Sequence, residues 1–241
     1  MKHHPSLNSH KLGFSLVEMA IVLTIVGLLM ATMLPSLTAQ LEQQRRSEAK
    51  KQLADIQQAL LGFAIMNKKF PCAIIPGTNE ANPSHANYGQ APTSCSSSPA
   101  SEGYLPWKTL GVPEIDPWGS KRNNSSDPWT GHGYWAYRVD RNFASTITMS
   151  TGFGTCGGSP TSDCLVIQDS SGAALNNSTE RPIAVIFSTG PDLAANGQNA
   201  TFAATGDTYQ SDVSGSNFDD ILLWIARPQL FNRLVSAGQL P

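Results

Sequence analysis

The strongest pattern in the chain is an apolar run close to its N-terminus. Between Phe14 and Leu34 the only charged residue is Glu18. The run has about the twenty apolar residues that a helix needs to cross a bilayer core of about 30 Å. Since a backbone in lipid must satisfy its own hydrogen bonds, such a segment is helical when it lies in a membrane. We therefore expect residues 14–34 to form a transmembrane helix.

The apolar run leads into a segment of mixed charge that keeps a helical period. Its apolar positions recur every three or four residues and form one stripe, made by Leu53, Ile56, Leu60 and Phe63. We expect this stripe to pack on the protein's own domain or on a neighbouring helix. Pro35 predicts a kink or break, and the residue before Pro71 disfavours a helix. Residues 35–70 are thus predicted to be the amphipathic continuation of the N-terminal helix.

Beyond residue 70 the pattern changes to short β-branched and aromatic runs between turn residues. These runs predict four or five antiparallel strands, at residues 134–139, 145–149, 164–168, 183–187 and 221–225. Arg227-Pro228 is typical of a helix start and Gly238 of a helix end. The predicted fold class is α+β and loop-rich, with one long N-terminal helix packed on an antiparallel sheet.

Composition narrows the class of protein. Charged residues make up 14% of the chain and the net charge is −2, so no basic excess points to a nucleic acid as partner. The chain has neither a Gly-x-Ser-x-Gly motif nor a phosphate-binding loop, and His85 and His132 have no evident nucleophile beside them. We therefore do not expect an enzyme.

Four tryptophans are candidates for an adhesive or carbohydrate-binding surface, namely Trp107, Trp118, Trp129 and Trp135. Tryptophans of this kind more often anchor a core or a loop. We therefore favour a packing role for them and keep the adhesive surface as the alternative.

The residues that open the apolar run carry a resemblance to a known family. Gly13-Phe14-Ser15-Leu16-Val17-Glu18, followed by the apolar run, resembles the prepilin motif of type IV pilins and type II secretion pseudopilins. The close resemblance covers about residues 10–70. It implies that a prepilin peptidase cleaves after Gly13, that the same enzyme methylates the new N-terminus at Phe14, and that the apolar segment is retained.

The resemblance also implies a domain organisation and a location. Residues 1–13 are the leader, 14–34 the transmembrane and assembly helix, 35–70 its continuation and 71–241 a periplasmic globular domain of pilin type. Lysines and arginines on both sides of the run leave the orientation open by charge alone. The resemblance implies a single-pass protein of the bacterial inner membrane that later joins a pilus or pseudopilus. Its partners would be the peptidase, the inner membrane and other pilin or pseudopilin subunits.

Glu18 is unusual because a carboxylate in a membrane helix costs about 2.5–3.5 kcal/mol on insertion scales. It either reaches the headgroups at the interface or meets a cation from another chain. The resemblance implies the second role, in which Glu18 pairs with the N-terminal ammonium group of Phe14 in a neighbouring subunit. It also makes Pro35 the proline that ends the apolar segment in many family members.

The four cysteines predict disulfides, because an even number in an exported domain is typical of a disulfide framework. Three pairings are possible, and closeness along the chain favours Cys72–Cys95 and Cys156–Cys164. A zinc site is the alternative, but the chain has no Cys-x-x-Cys pair.

An acidic stretch near the C-terminus is the candidate for a metal site. Between Arg181 and Arg227 there is no lysine or arginine, but there are five aspartates, at positions 192, 207, 212, 219 and 220. Calcium takes carboxylate and carbonyl oxygens from such flexible loops, and major pseudopilins, which this stretch resembles, bind calcium in a C-terminal loop. Asp212, Asp219 and Asp220 are the candidate ligands. The alternative is a solvated acidic turn, and no other cofactor is indicated.

Together these patterns predict a structural subunit of a type IV pilus or a type II secretion pseudopilus. The chain is long for a major subunit of either, which favours a minor one. Two alternatives are a signal-anchored periplasmic binding or adhesion domain that does not polymerise, and a signal-anchored enzyme.

Overall fold

The computed structural model describes residues 13–93, 95, 102–148, 164–177, 180–201 and 207–240, with only the backbone for 31–37 and 201. The chain forms two compact units, Met1–Gln44 and Arg45–Pro241. We describe each unit by itself.

The first unit contains the beginning of helix α1, which runs from Leu16 to Asn67 over 52 residues. The helix is continuous through Pro35, so the break that the sequence allowed at this proline is not present. Within the described ranges, no helix combines the length and the apolar character needed to cross a membrane. The span predicted for residues 14–34 is therefore not confirmed.

In its described residues the second unit has six strands, which are β1 (Glu102–Tyr104), β2 (Ala136–Val139), β3 (Val166–Gln168), β4 (Pro182–Ser188), β5 (Thr208–Gln210) and β6 (Ile221–Ala226). Strands β1, β2, β4 and β6 form one antiparallel sheet in the order β1-β2-β4-β6. In its register Tyr137 lies opposite Ile186, and Val185 lies opposite Trp224. Strands β3 and β5 form a separate parallel pair. The described part of this unit also contains two short α-helices, α2 (Trp107–Leu110) and α3 (Arg227–Ser236), and short 3₁₀ turns.

The second part of α1 packs on one face of the four-stranded sheet, as the apolar stripe predicts. Leu53, Ile56 and Leu60 are at most 1% exposed and lie in one cluster with Tyr137 and Ile186. Each such side chain contributes about 1.5–3 kcal/mol when it is fully buried. The α+β fold class, with a long helix on an antiparallel sheet, is therefore confirmed.

The C-terminal helix also follows its sequence signals. Helix α3 begins at Arg227 with Pro228 in its first turn, and it buries Leu230 and Leu234 against the same core. Gly238 lies beyond the helix end with a φ of 66°, which an L side chain rarely adopts.

Two strand predictions are wrong in the described residues. The run at 164–168 does contain β3, but β3 pairs in parallel with β5 rather than joining the antiparallel sheet. Residues 145–148 form no strand; the N–H of the buried Ile147 is bonded to the carbonyl of Lys68, just after α1, at 2.7 Å. Residue 149 of that prediction lies outside the described residues.

Candidate functional site

The first turn of α1 places Glu18 against the backbone of its own chain. Its carboxylate Oε2 accepts the N–H of Ser15 at 2.8 Å, and the Ser15 hydroxyl accepts the N–H of Val17 at 3.3 Å. Ser-x-x-Glu at a helix start is the capping-box spacing, in which the acid satisfies an N–H that has no partner within the helix. This capping role was not predicted from the sequence, although the spacing of Ser15 and Glu18 was the signal for it.

The first part of α1 exposes nearly all of its large apolar side chains. The exposed fraction ranges from 39% at Val26 to 87% at Leu16, and Phe14 is 80% exposed. A continuous apolar surface of this kind is typical of a segment that contacts a membrane or other proteins. Gly13 and Phe14, the predicted cleavage pair, precede the helix.

The acidic stretch separates into distinct environments. Asp207 pairs with the buried guanidinium group of Arg138 at 2.7 Å. Asp212 accepts the N–H of Ser170 at 3.0 Å and that of Val213 at 2.7 Å. Hydrogen bonding, first of all from Ser170, lowers the pKa of Asp212.

Asp219 and Asp220 instead face the loop that follows β4. Oδ2 of Asp220 accepts the backbone N–H of Asn196 at 2.9 Å and the side-chain amide of Asn199 at 2.8 Å. Asp219 donates its N–H to Oδ1 of Asn196 at 3.0 Å, and its Oδ2 lies 3.4 Å from the N–H of Asp192. These contacts tie the loop to the residues that lead into β6.

Burial changes the proton affinity of this carboxylate pair. Asp219 is 9% exposed and Asp220 is 5% exposed, and Oδ1 of each is buried with no hydrogen-bond partner in the described structure. Loss of hydration raises the pKa of Asp220 to about 7. Burial, followed by the charge of Asp192, raises the pKa of Asp219 as well.

The three predicted calcium ligands are therefore not brought together. Asp212 binds the backbone of another loop, whereas Asp219 and Asp220 bind the loop after β4. Across the described residues, no group of three or more histidine, cysteine, aspartate or glutamate side chains is placed to hold a metal ion. These residues do not fit a calcium site built on Asp212, Asp219 and Asp220.

The disulfide prediction is confirmed where the structure describes it. Cys72 and Cys95 are joined, with their Cα atoms 5.3 Å apart. Cys164 is also disulfide-bonded, but Cys156, its predicted partner, lies outside the described residues. The Cys72–Cys95 bond closes the proline-rich segment that follows α1.

The four candidate tryptophans are packing residues, which is the role that we favoured from the sequence, rather than an adhesive surface. Trp107, Trp129 and Trp135 are at most 8% exposed, and Trp118 packs partly buried against the main core. The ring of Trp129 stacks on Tyr104 with centroids 4.0 Å apart, and the Arg122 guanidinium group lies 4.4 Å from its centroid.

Comparison with known proteins bears on the N-terminal segment. Residues 8–34 match the family described as the prokaryotic N-terminal methylation motif. No curated protein shows a significant match to the chain, and no solved structure does.

The matched motif covers residues 8–34 and bears on the class of protein at the N-terminus. It is consistent with type IV pilins and pseudopilins, and it implies processing by prepilin peptidase, pilin-type export and membrane anchoring. The chain is therefore pilin-like at its N-terminus, and its second unit has the α+β architecture expected of such a protein.

Proposed function

We propose that this chain is a minor structural subunit of a type IV pilus or a type II secretion pseudopilus. Prepilin peptidase would cleave it after Gly13 and methylate Phe14, and the processed chain would assemble through its N-terminal helix. The match of residues 8–34 to the methylation motif is the observation that carries this proposal.

The exposure of the apolar side chains on the first part of α1 supports the proposal. From Leu16 to Met30 this surface holds leucine, valine, isoleucine and methionine side chains that are 39–87% exposed. Leaving that area in water is unfavourable by roughly 25 cal/mol per Å². The inner membrane before assembly, and neighbouring helices after it, would remove this surface from water.

Glu18 would have two successive partners in this scheme. In the single chain its carboxylate accepts the Ser15 N–H, which reduces the cost of placing an acid near the apolar segment. In the filament the ammonium group of a neighbouring Phe14 would reach the same carboxylate. Pairing two opposite charges offsets part of their desolvation in an apolar core.

The second unit supports an exported location for the rest of the chain. It carries the Cys72–Cys95 disulfide, and disulfides persist in oxidising compartments such as the bacterial periplasm. The processed protein would therefore hold this unit in the periplasm, with the N-terminal helix anchored in the inner membrane.

The mass of the N-terminal peptide from membranes of the native host tests the proposal. A peptide that begins at Phe14 and carries one additional methyl group is the expected result, and a Gly13→Leu variant serves as the unprocessed control. An intact leader, in a host with active prepilin peptidase, would contradict the proposal. It would favour a signal-anchored periplasmic domain that does not polymerise.

A further inference from the structure

A pocket with a volume of about 280 Å³ opens on the second unit beside the end of β4. Aromatic side chains form one wall and small side chains of the loop after β4 form the other. We call it the aromatic pocket, and its main lining residues are Tyr104, Trp129, Tyr134, Phe187, Ala194 and Ala195. None of these residues has a role in the proposed assembly through α1.

The aromatic wall is held rigidly by contacts between rings. Trp129 stacks on Tyr104 and meets Tyr134 edge to face, with centroids 4.0 and 4.7 Å apart. Because Tyr104 and the Arg122 guanidinium group lie over the Trp129 ring, Trp129 offers the pocket an edge rather than a free face. A sugar needs a free aromatic face on which to stack, so this wall is better suited to an apolar ring that packs edge to face.

The opposite wall is also fixed in place. Asn196 binds Asp219 and Asp220 at 3.0 and 2.9 Å, which anchors the loop from its far side. A Cβ atom at Gly190 would lie 2.6 Å from the carbonyl oxygen of Asp219, so only glycine allows the loop to approach this closely. The walls therefore exist before any ligand arrives, which reduces the entropy lost on binding.

Backbone strain marks the rim of the pocket. Leu193, which lines it, has a φ of 57°, a left-handed conformation that is uncommon for residues other than glycine. Strain of this kind is found preferentially at ligand-binding and active sites, where the surrounding structure holds it in place.

The lining limits the charge of the ligand. Among the described lining residues none is charged; Thr130 and Thr189 supply aliphatic hydroxyl groups, and Tyr104 and Tyr134 are the two phenols of the lining. An ion in this site would lose hydration without gaining a partner, whereas a neutral ring with one polar group would pack on the aromatic wall and bond a threonine. We propose that the aromatic pocket binds an uncharged molecule of one or two aromatic rings.

Fluorine NMR of a fluorinated indole with the full chain in lipid nanodiscs tests this site. The expected result is saturable binding with a Kd on the order of 1 mM or tighter, above the signal from empty nanodiscs, which measures partition into lipid. Ala195→Leu would fill the pocket and weaken binding by about tenfold or more. The same change at the exposed Ala173, which lies in another loop, is the matched control and should leave binding unchanged.

Two results would overturn the proposal. One is the absence of saturable binding by the wild-type chain. The other is wild-type affinity in a folded Ala195→Leu protein. Should that variant fail to fold, Ala194→Leu takes its place, because Ala194 lines the pocket from an exposed position. Processing at Gly13 does not enter this measurement, so the pocket and the filament role can fail separately.

Discussion

Among single residues, Glu18 joins local helix capping to the proposed assembly. Its carboxylate accepts the Ser15 N–H at 2.8 Å. In the isolated chain, the acid of the proposed pair between Glu18 and the Phe14 ammonium group therefore already has a hydrogen-bond partner. Replacing Glu18 with an apolar residue tests membrane insertion and filament assembly separately. An apolar side chain enters lipid easily but cannot pair with an ammonium group.

We expect Glu18→Leu to be inserted, cleaved and methylated normally but to be nearly absent from filaments. Removing one partner of a buried ion pair costs about 3–5 kcal/mol, which is more than a hundredfold in an equilibrium. Quantifying the subunit in sheared filaments, relative to membranes, measures the effect. Glu48→Leu, at an exposed position of the same helix, is the control. Wild-type incorporation of the Glu18 variant would contradict the proposed pairing.

Asp220 makes a pH-dependent contribution whose sign follows from its raised pKa. The pKa is about 7 in the folded protein and about 3.9 in an unfolded chain. Between these values the folded state binds a proton that the unfolded state has lost, so the free energy of unfolding falls as the pH rises from about 4 to 7. The slope is at most about 1.4 kcal/mol per pH unit.

Urea unfolding at pH 5 and pH 7.5, with a chelator present, tests this contribution. We expect the wild type to lose about 2 kcal/mol or more over that interval relative to Asp220→Asn, which keeps an acceptor for Asn196 and cannot ionise. Groups far from Asp220 are common to both proteins and cancel in the comparison, whereas the neighbouring Asp219 and Asp192, whose charges help to raise the pKa of Asp220, contribute to the measured difference. Parallel pH profiles would show that Asp220 is charged throughout.

Among the elements, the proline-rich segment after α1 depends on a covalent constraint. Cys72 and Cys95 are 23 positions apart, and the chain between them contains only one short 3₁₀ turn in its described part. We expect Cys72→Ser/Cys95→Ser to lower the free energy of unfolding by about 2–4 kcal/mol. The double substitution avoids a free thiol.

Thermal unfolding of this variant and of the wild type under oxidising conditions gives the comparison. Ser84→Ala, at an exposed position of the same segment, is the control and should change little. An unchanged melting temperature in the double variant would show that the hydrogen bonds of the segment suffice without the disulfide.

Helices and strands could be predicted from the sequence where the pattern that specifies them lies within the element itself. Helix α1, strands β2, β4 and β6 and helix α3 have long apolar or β-branched patterns, and they were anticipated from the sequence. Strand β5 is only Thr208–Gln210, and it gains stability from its parallel partner β3, a contact that no local pattern encodes. Strand β1 is equally short, and its Gly103 carries no side chain to mark a strand.

The predicted calcium site in the acidic stretch shows the same limit, because its residues depend on contacts that are distant in the sequence. Asp212, Asp219 and Asp220 are close along the chain, but the structure separates Asp212 from the other two. The partners of Asp219 and Asp220 come from Asp192–Asn199, a loop more than twenty positions earlier. The short spacing of these aspartates in the sequence suggested a single site. In the structure, tertiary contacts place Asp212 in one environment and Asp219 and Asp220 in another.

In the whole molecule, the second compact unit begins inside α1 rather than after it. That unit starts at Arg45 and includes Leu53, Ile56 and Leu60, which are at most 1% exposed in its core. Each of these side chains is worth about 2–5 kcal/mol by truncation, and a domain has only about 5–15 kcal/mol in total. The amphipathic part of the helix is therefore part of the fold and not only an anchor.

Two truncated chains test whether the amphipathic part of α1 belongs to the folded domain or only anchors it. We expect Arg45–Pro241 to unfold cooperatively, with a near-ultraviolet dichroism signal from its buried aromatic rings. A chain that starts at Pro71 should lack both, because the inner face of the sheet is left uncovered. In the longer chain Leu53→Asp should abolish cooperative unfolding, while Ala54→Asp, at an exposed position, should not. Cooperative unfolding of the shorter chain at the same temperature would instead place the domain boundary at residue 71 and limit α1 to anchoring and assembly.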